Sequence, residues 1–211
     1  MAQAVRQIDR RRVRTRAALL RAGATLFATR SVDGVSIDDI VAAADVAKGS
    51  FYNHFEDKEA LARAIAEEVR GGVEALAAEI NAGVTDPAER VARALCGFIR
   101  RAVEQPVSVR AMMRLFEGAA VPDAPMNRGV RADIKAGLAS GHFEDVTLES
   151  GVLMAVGVVQ VAVSRVLDAR LSRPSALAGE LAFGLLRGLG LDPARAKAVA
   201  TRAATDVFER S

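Results

Sequence analysis

Two helix starts lie so close together between Ser36 and Leu61 that neither of the helices between them can be long. Ser36-Ile37-Asp38-Asp39 has the form of a capping box, in which the serine oxygen accepts from backbone N–H groups of the first turn. Ile37, Ile40 and Val41 then give one apolar face to a short helix ending near Ala44. Asp45-Val46 reads as a tight turn, because Asp tolerates the left-handed region better than most residues. A second short helix is expected over residues 47–54, and Asp57 caps the helix that begins at Lys58. Short helix, tight turn, short helix is the helix-turn-helix arrangement.

The rest of the chain is helical in pattern as well. A first helix from about Arg10 to Thr29 is expected, with Val13, Ala17, Leu20, Ala24 and Phe27 on its buried face. It ends in turn-like residues 30–34. Asp86-Pro87, Arg173-Pro174 and Asp192-Pro193 each open a helix with proline at its first position. A loop is expected at Val121-Pro122-Asp123-Ala124-Pro125. No alternating strand pattern of useful length occurs, so the fold class is all-α, with about nine to ten helices. The expected division is a basic arm and helix-turn-helix head over residues 1–57 and a helical body over residues 58–211.

Charge is distributed unevenly. Of 211 residues with a net charge of +3, the first thirty carry eight arginines (6, 10, 11, 12, 14, 16, 21, 30) against Asp9. That end is at about +7 and the remainder at about −4, which points to a polyanionic partner at one end. Half the residues are apolar, which excludes disorder for the bulk of the chain. One cysteine, Cys96, excludes an internal disulfide, reads as core, and fits a reducing cytoplasm. The N-terminus has no apolar run, so no signal peptide is expected. The apolar stretch 151–159 stops at Gln160, too short to cross a bilayer. Neither metal-ligand spacing, a phosphate loop nor a nucleophile motif is present, so no cofactor, metal or enzymatic activity is expected. His142 reads as a surface turn residue.

In the second short helix, Lys48, Ser50, Tyr52, Asn53 and His54 offer hydrogen-bond donors suited to a DNA groove, and Gly49 allows close approach of a phosphate. Phe51 and Phe55, four residues apart, point inward. Lys can donate to guanine O6 and N7, and Asn can pair with adenine. The run from Phe27 through Ser36 to Leu61, and above all Lys48-Gly49-Ser50-Phe51-Tyr52-Asn53-His54-Phe55 followed by Lys58-Glu59, closely resembles the TetR family of bacterial transcriptional regulators. The resemblance covers about residues 12–61. It departs from the family pattern at Ser31 and Val32, where glycine and an aromatic are usual, and at Asp45, where glycine is frequent.

The resemblance implies that Ser36, Lys48, Gly49, Ser50, Tyr52, His54 and Lys58 meet DNA, with Tyr52 and His54 on phosphate. Ser36 also reads as a cap alone. Arg14 and the arginine run around it are expected to track phosphate or the minor groove. Residues 152–163 read as a helix apolar all round and therefore buried on all sides. With the apolar face of Leu177, Leu181, Leu185 and Leu186, they read as monomer core or as a dimer interface; the resemblance implies the second, a two-fold interface through roughly residues 148–190. Two heads about 34 Å apart would then meet a pseudo-palindromic operator in double-stranded DNA. The resemblance further implies a cavity for a small apolar effector, with Phe98, Met112, Met113, Phe116 and Gln160 as candidates; as residue types, Met and Phe at helical spacing also read as plain core. The expected function is a ligand-released repressor. An architectural or partner-controlled DNA-binding protein without a small ligand is the alternative, favoured by a fully packed body.

Overall fold

The computed structural model describes residues 2–115, 127–168 and 172–209. Ten helices and no strand occur among them: α1 (Ala2–Phe27), α2 (Ile37–Ala44), α3 (Lys48–Tyr52), α4 (Lys58–Ile80), α5 (Pro87–Glu104), α6 (Pro106–Leu115), α7 (Arg128–Ala139), α8 (Leu148–Asp168), α9 (Pro174–Gly188) and α10 (Pro193–Glu209). The all-α reading holds. The loop expected at 121–125 lies outside the described residues. By internal contacts the chain divides into Met1–Arg70 with Val107–Phe116, and Gly71–Pro106 with Glu117–Ser211. This division falls inside α4, whereas the boundary drawn from sequence stands at its start.

The first unit is built on a core of Leu19, Leu20, Phe27, Val35, Ile40, Val41, Phe51, Phe55, Leu61 and Ile65. Gly23 lets α1 and α4 approach closely. A Cβ there would lie 2.8 Å from Leu61 Cδ2 and 2.9 Å from Ile65 Cδ1. Phe51 is fully buried, so truncating it to alanine costs about 3–5 kcal/mol.

The sequence reading of α1 needs two corrections. The helix begins at Ala2 rather than near Arg10. Val13, placed on the buried face, is 63% exposed. Leu20 and Phe27 are buried and Ala24 packs against the head core as expected, and the buried face also takes in Leu19 and Gly23. Ser31 braces the loop, its Oγ accepting from Gly34 N at 3.2 Å. Val32 packs against the head core.

In the second unit, α5 is the central helix, packed against α7, α8, α9 and α10. Asp86 caps it by accepting from Ala88 N at 2.9 Å, with Pro87 following. Cys96 is fully buried, and burial pushes its thiol up to about 12. Arg93 is buried and fully engaged. Its Nε and Nη2 donate to Ile80 O at 2.9 and 2.7 Å, and its Nη1 to Asp206 Oδ2 at 3.0 Å. The guanidinium thus satisfies the last carbonyl of α4, which has no partner within its own helix. Arg90 Nε donates to Asp133 Oδ1 at 2.5 Å. Burial nevertheless keeps the Asp133 carboxyl above its ordinary range.

Two features of the body sharpen the sequence reading. His142 lies in a surface turn, as expected, but is partly covered there. Its side chain is 30% exposed, and its Nδ1 is buried 4.0 Å from Asp86 Oδ1 without a hydrogen-bond partner. Within the single chain, α8 is buried along one side. Val152, Ala155, Ala162 and Val163 face the core, but Leu153 is 43% and Val161 72% exposed. The helix is also longer in apolar terms than the stop at Gln160 suggested. Gln160 and Ser164 carry no charge, and α8 is long and apolar enough to cross a membrane by length and composition alone. A helix with a core-facing side and an uncovered apolar side meets the same test.

Candidate nucleic-acid interface

The local chemistry of α2 and α3 sets the site. Ser36 Oγ accepts from Asp39 N, and Asp39 Oδ2 accepts from Ser36 N, both at 3.1 Å, completing the capping box. The Ser36 backbone N–H, the Ser36 hydroxyl and then Arg30 hold the Asp39 carboxyl below its ordinary range. Asp45 closes α2 in the left-handed region with φ 53° and ψ 50°. The turn then releases the chain into α3, whose single fully buried residue, Phe51, anchors it to the core.

With Phe51 and Phe55 inward, the opposite face of α3 is turned to solvent. Lys48, Gly49, Tyr52 and Asn53 are exposed, and Ser50 and His54 half-buried. Tyr52 stands edge-on to Phe51, with ring centroids 5.6 Å apart. A Cβ on Gly49 would meet nothing within 4 Å among the described residues, as is also true of Gly71, Gly72, Gly129, Gly157 and Gly184.

The cations are differently disposed. Lys48 Nζ lies 2.8 Å from Asp38 Oδ1, and hydrogen bonding and charge from Asp38 raise the Lys48 pKa. Lys58 Nζ donates to Asp33 O at 3.3 Å and Val35 O at 3.4 Å. In this structure it stitches the start of α4 to the loop before α2. His54 is held below the ordinary imidazole value, first by partial burial and then by the charges of Arg12 and Arg16. Arg16 also lies over the Phe55 ring, 5.5 Å from its centroid.

Within the arginine run at 10–16, it is Arg12 and Arg16 whose charges reach His54. At 100° per residue, Arg14 is turned by about 200° from each of them, so it is exposed on the face of α1 away from His54. Positions 12, 16, 19, 23 and 27 continue one line along the helix.

The effector candidates come from three helices and the segment after α6. Phe98 is partly buried against the body core, and Gln160 is half-buried on α8. Met112 and Met113 lie on α6, which groups with the first unit. Met113 is half-buried; the Met112 side chain and Phe116 lie outside the described residues. The three candidates whose side chains are described thus fall in both units.

Comparison with known proteins matches this architecture. Residues 19–65 match the family described as bacterial regulatory proteins, tetR family. Residues 86–202 match the tetracyclin repressor-like C-terminal domain. The chain is 48% identical over 50 residues to the HTH-type transcriptional repressor DhaR of Mycobacterium sp. (strain GP1), a match spanning 24% of this chain and 25% of that protein. It is similar in structure to RolR in complex with resorcinol, with a TM-score of 0.65 and 29% identity over 92% of this chain and 96% of that one. It is similar also to an ArpA-like gamma-butyrolactone receptor, with a TM-score of 0.71 and 25% identity over 95% of this chain and 99% of that one. With a head and a body that each match the corresponding family model, this chain belongs to the tetR family of bacterial regulatory proteins.

Proposed function

We propose that this protein is a sequence-specific transcriptional repressor that binds a pseudo-palindromic operator as a homodimer and leaves it when a small apolar molecule binds the body. The observation that carries the reading is the solvent-facing side of α3, where Lys48, Gly49, Tyr52 and Asn53 are exposed over a buried Phe51. A helix presenting donors suits the major groove. Lys48 and Ser50, with Asn53, would read bases, and Tyr52 and His54 would hold phosphate. Arg12 and Arg16 flank His54 and would extend the phosphate contact. Lys58 would act from the helix that follows.

The uncovered apolar side of α8, with α9, would form the two-fold interface. Release by a ligand is supported by the kinship with RolR, whose structure holds resorcinol, and with a gamma-butyrolactone receptor. Such a ligand acts only through its differential affinity for the two states of the dimer. A tenfold loss of DNA affinity requires about 1.4 kcal/mol of coupling.

Fluorescence anisotropy with DNA from upstream of the protein's own gene tests the reading. Sequence-selective binding is expected. If each head neutralises about four phosphates, the log–log salt slope should be near −7. Equal affinity for upstream and scrambled duplexes would refute it.

A further inference from the structure

The Lys48–Asp38 pair links the first residue of α3 to the second residue of α2 across the turn. Its two halves are placed unequally. Lys48 puts a cation at a helix N-terminus, where the peptide dipoles disfavour it, while Asp38 puts an anion where they favour it. Asp38 has no part in the α2 capping box, which Ser36 and Asp39 complete without it. Both side chains are more than half exposed, at 53% and 71%, so the pair does not fill the core. Its position matters more than its burial: Lys48 adjoins Gly49 at the open face of α3, and an anion beside that face repels phosphate.

We propose that Asp38 is a specificity-setting residue, which holds the Lys48 ammonium in the free head and so withholds that charge from DNA of the wrong sequence. The inference rests on the DNA-binding reading above. On a non-cognate duplex, Lys48 can reach a phosphate only by leaving Asp38 and bringing the carboxylate close to the backbone. On the cognate sequence the exchange is repaid. The ammonium meets guanine O6 and N7, and the carboxylate can accept from a cytosine amino group, so the pair offers opposite chemistry to the two edges of the major groove. Asp38 thereby lowers affinity for all DNA and lowers it least for the operator.

The test uses the full-length protein, an operator selected from random duplexes by the wild type, and a mixed-sequence duplex of about 30 base pairs at about 150 mM salt. Asp38→Asn is compared with Asp45→Asn, which removes the same charge from the same head at a position where asparagine tolerates the left-handed backbone. Circular dichroism confirms that both variants fold. D38N is expected to bind the mixed duplex at least about fivefold tighter than wild type, with a slope steeper by about 1.8 per dimer, one added phosphate per head. Operator affinity should change less than about twofold, so that the specificity ratio falls. In a Lys48→Gln background, D38N should act no more strongly than D45N. Indistinguishable effects of D38N and D45N in the wild-type background would overturn the proposal, as would weaker binding of D38N to both duplexes, the mark of a residue that merely positions Lys48. Failure of the wild type to bind any duplex would instead remove the DNA-binding reading itself.

Discussion

At the scale of single residues, His54 couples the head to pH. Partial burial, then the guanidinium charges of Arg12 and Arg16, hold its pKa below the ordinary 6.5. The unfolded chain has neither influence. Between the folded value and 6.5, therefore, the unfolded state binds more protons, and stability falls as pH falls. The contribution of neutral His54 is complete above 6.5 and is lost as pH drops through the folded value. Urea midpoints of the wild type should decline between about pH 7.5 and 5.5, and those of His54→Gln should decline less steeply; parallel slopes for the two proteins would refute the assignment. Residues whose role depends on near neighbours were legible in the sequence. Ser36 as a cap and Asp45 in the left-handed turn each follow from residues within three positions. Lys58 could not be read that way. Its partners at Asp33 and Val35 are 25 and 23 positions away, and only packing of α4 against the loop brings them to it.

The helix is the next scale, and there the cap of α2 is testable. Ser36 has two readings, a cap and a DNA contact, and the capping box makes the first a structural fact. Ser36→Ala should destabilise the protein by about 0.5–2 kcal/mol, and Ser36→Thr should restore most of it, since threonine caps nearly as well. If DNA affinity follows stability through both variants, Ser36 acts only as a cap. If the alanine variant folds fully under assay conditions yet binds DNA more weakly, it is a contact too. Helix positions were widely legible, because proline at the first turn marks α5, α9 and α10. On α1 the expected face holds at Leu20, Ala24 and Phe27 and fails at Val13. Gly23 against Leu61 and Ile65 widens that face, and this is a contact between helices far apart in sequence.

For the whole molecule, the decisive feature is an apolar helix left half covered. A single chain leaves Leu153 and Val161 of α8 exposed, with 28% of the helix's most apolar stretch buried. Sequence gave the apolar character of α8 but not which side faces the chain's own core, because Val and Ala recur on every side of it. The core-facing side is taken by Val152, Ala155, Ala162 and Val163, and the remaining side is available to a second copy. Val161→Arg tests this with little risk to the fold of the single chain, since a surface substitution of this kind changes stability by about 0.5 kcal/mol or less. Sedimentation velocity at micromolar concentration should show a dimer for the wild type and for Val13→Arg, another exposed valine, on α1. The V161R protein should sediment as a folded monomer. Its affinity for the operator should fall by more than about tenfold, because a lone head loses the gain from tethering two half-site contacts. Dimeric V161R would place the interface elsewhere. Wild-type protein that sediments as a monomer and binds neutral lipid vesicles would assign the uncovered side of α8 to a membrane instead.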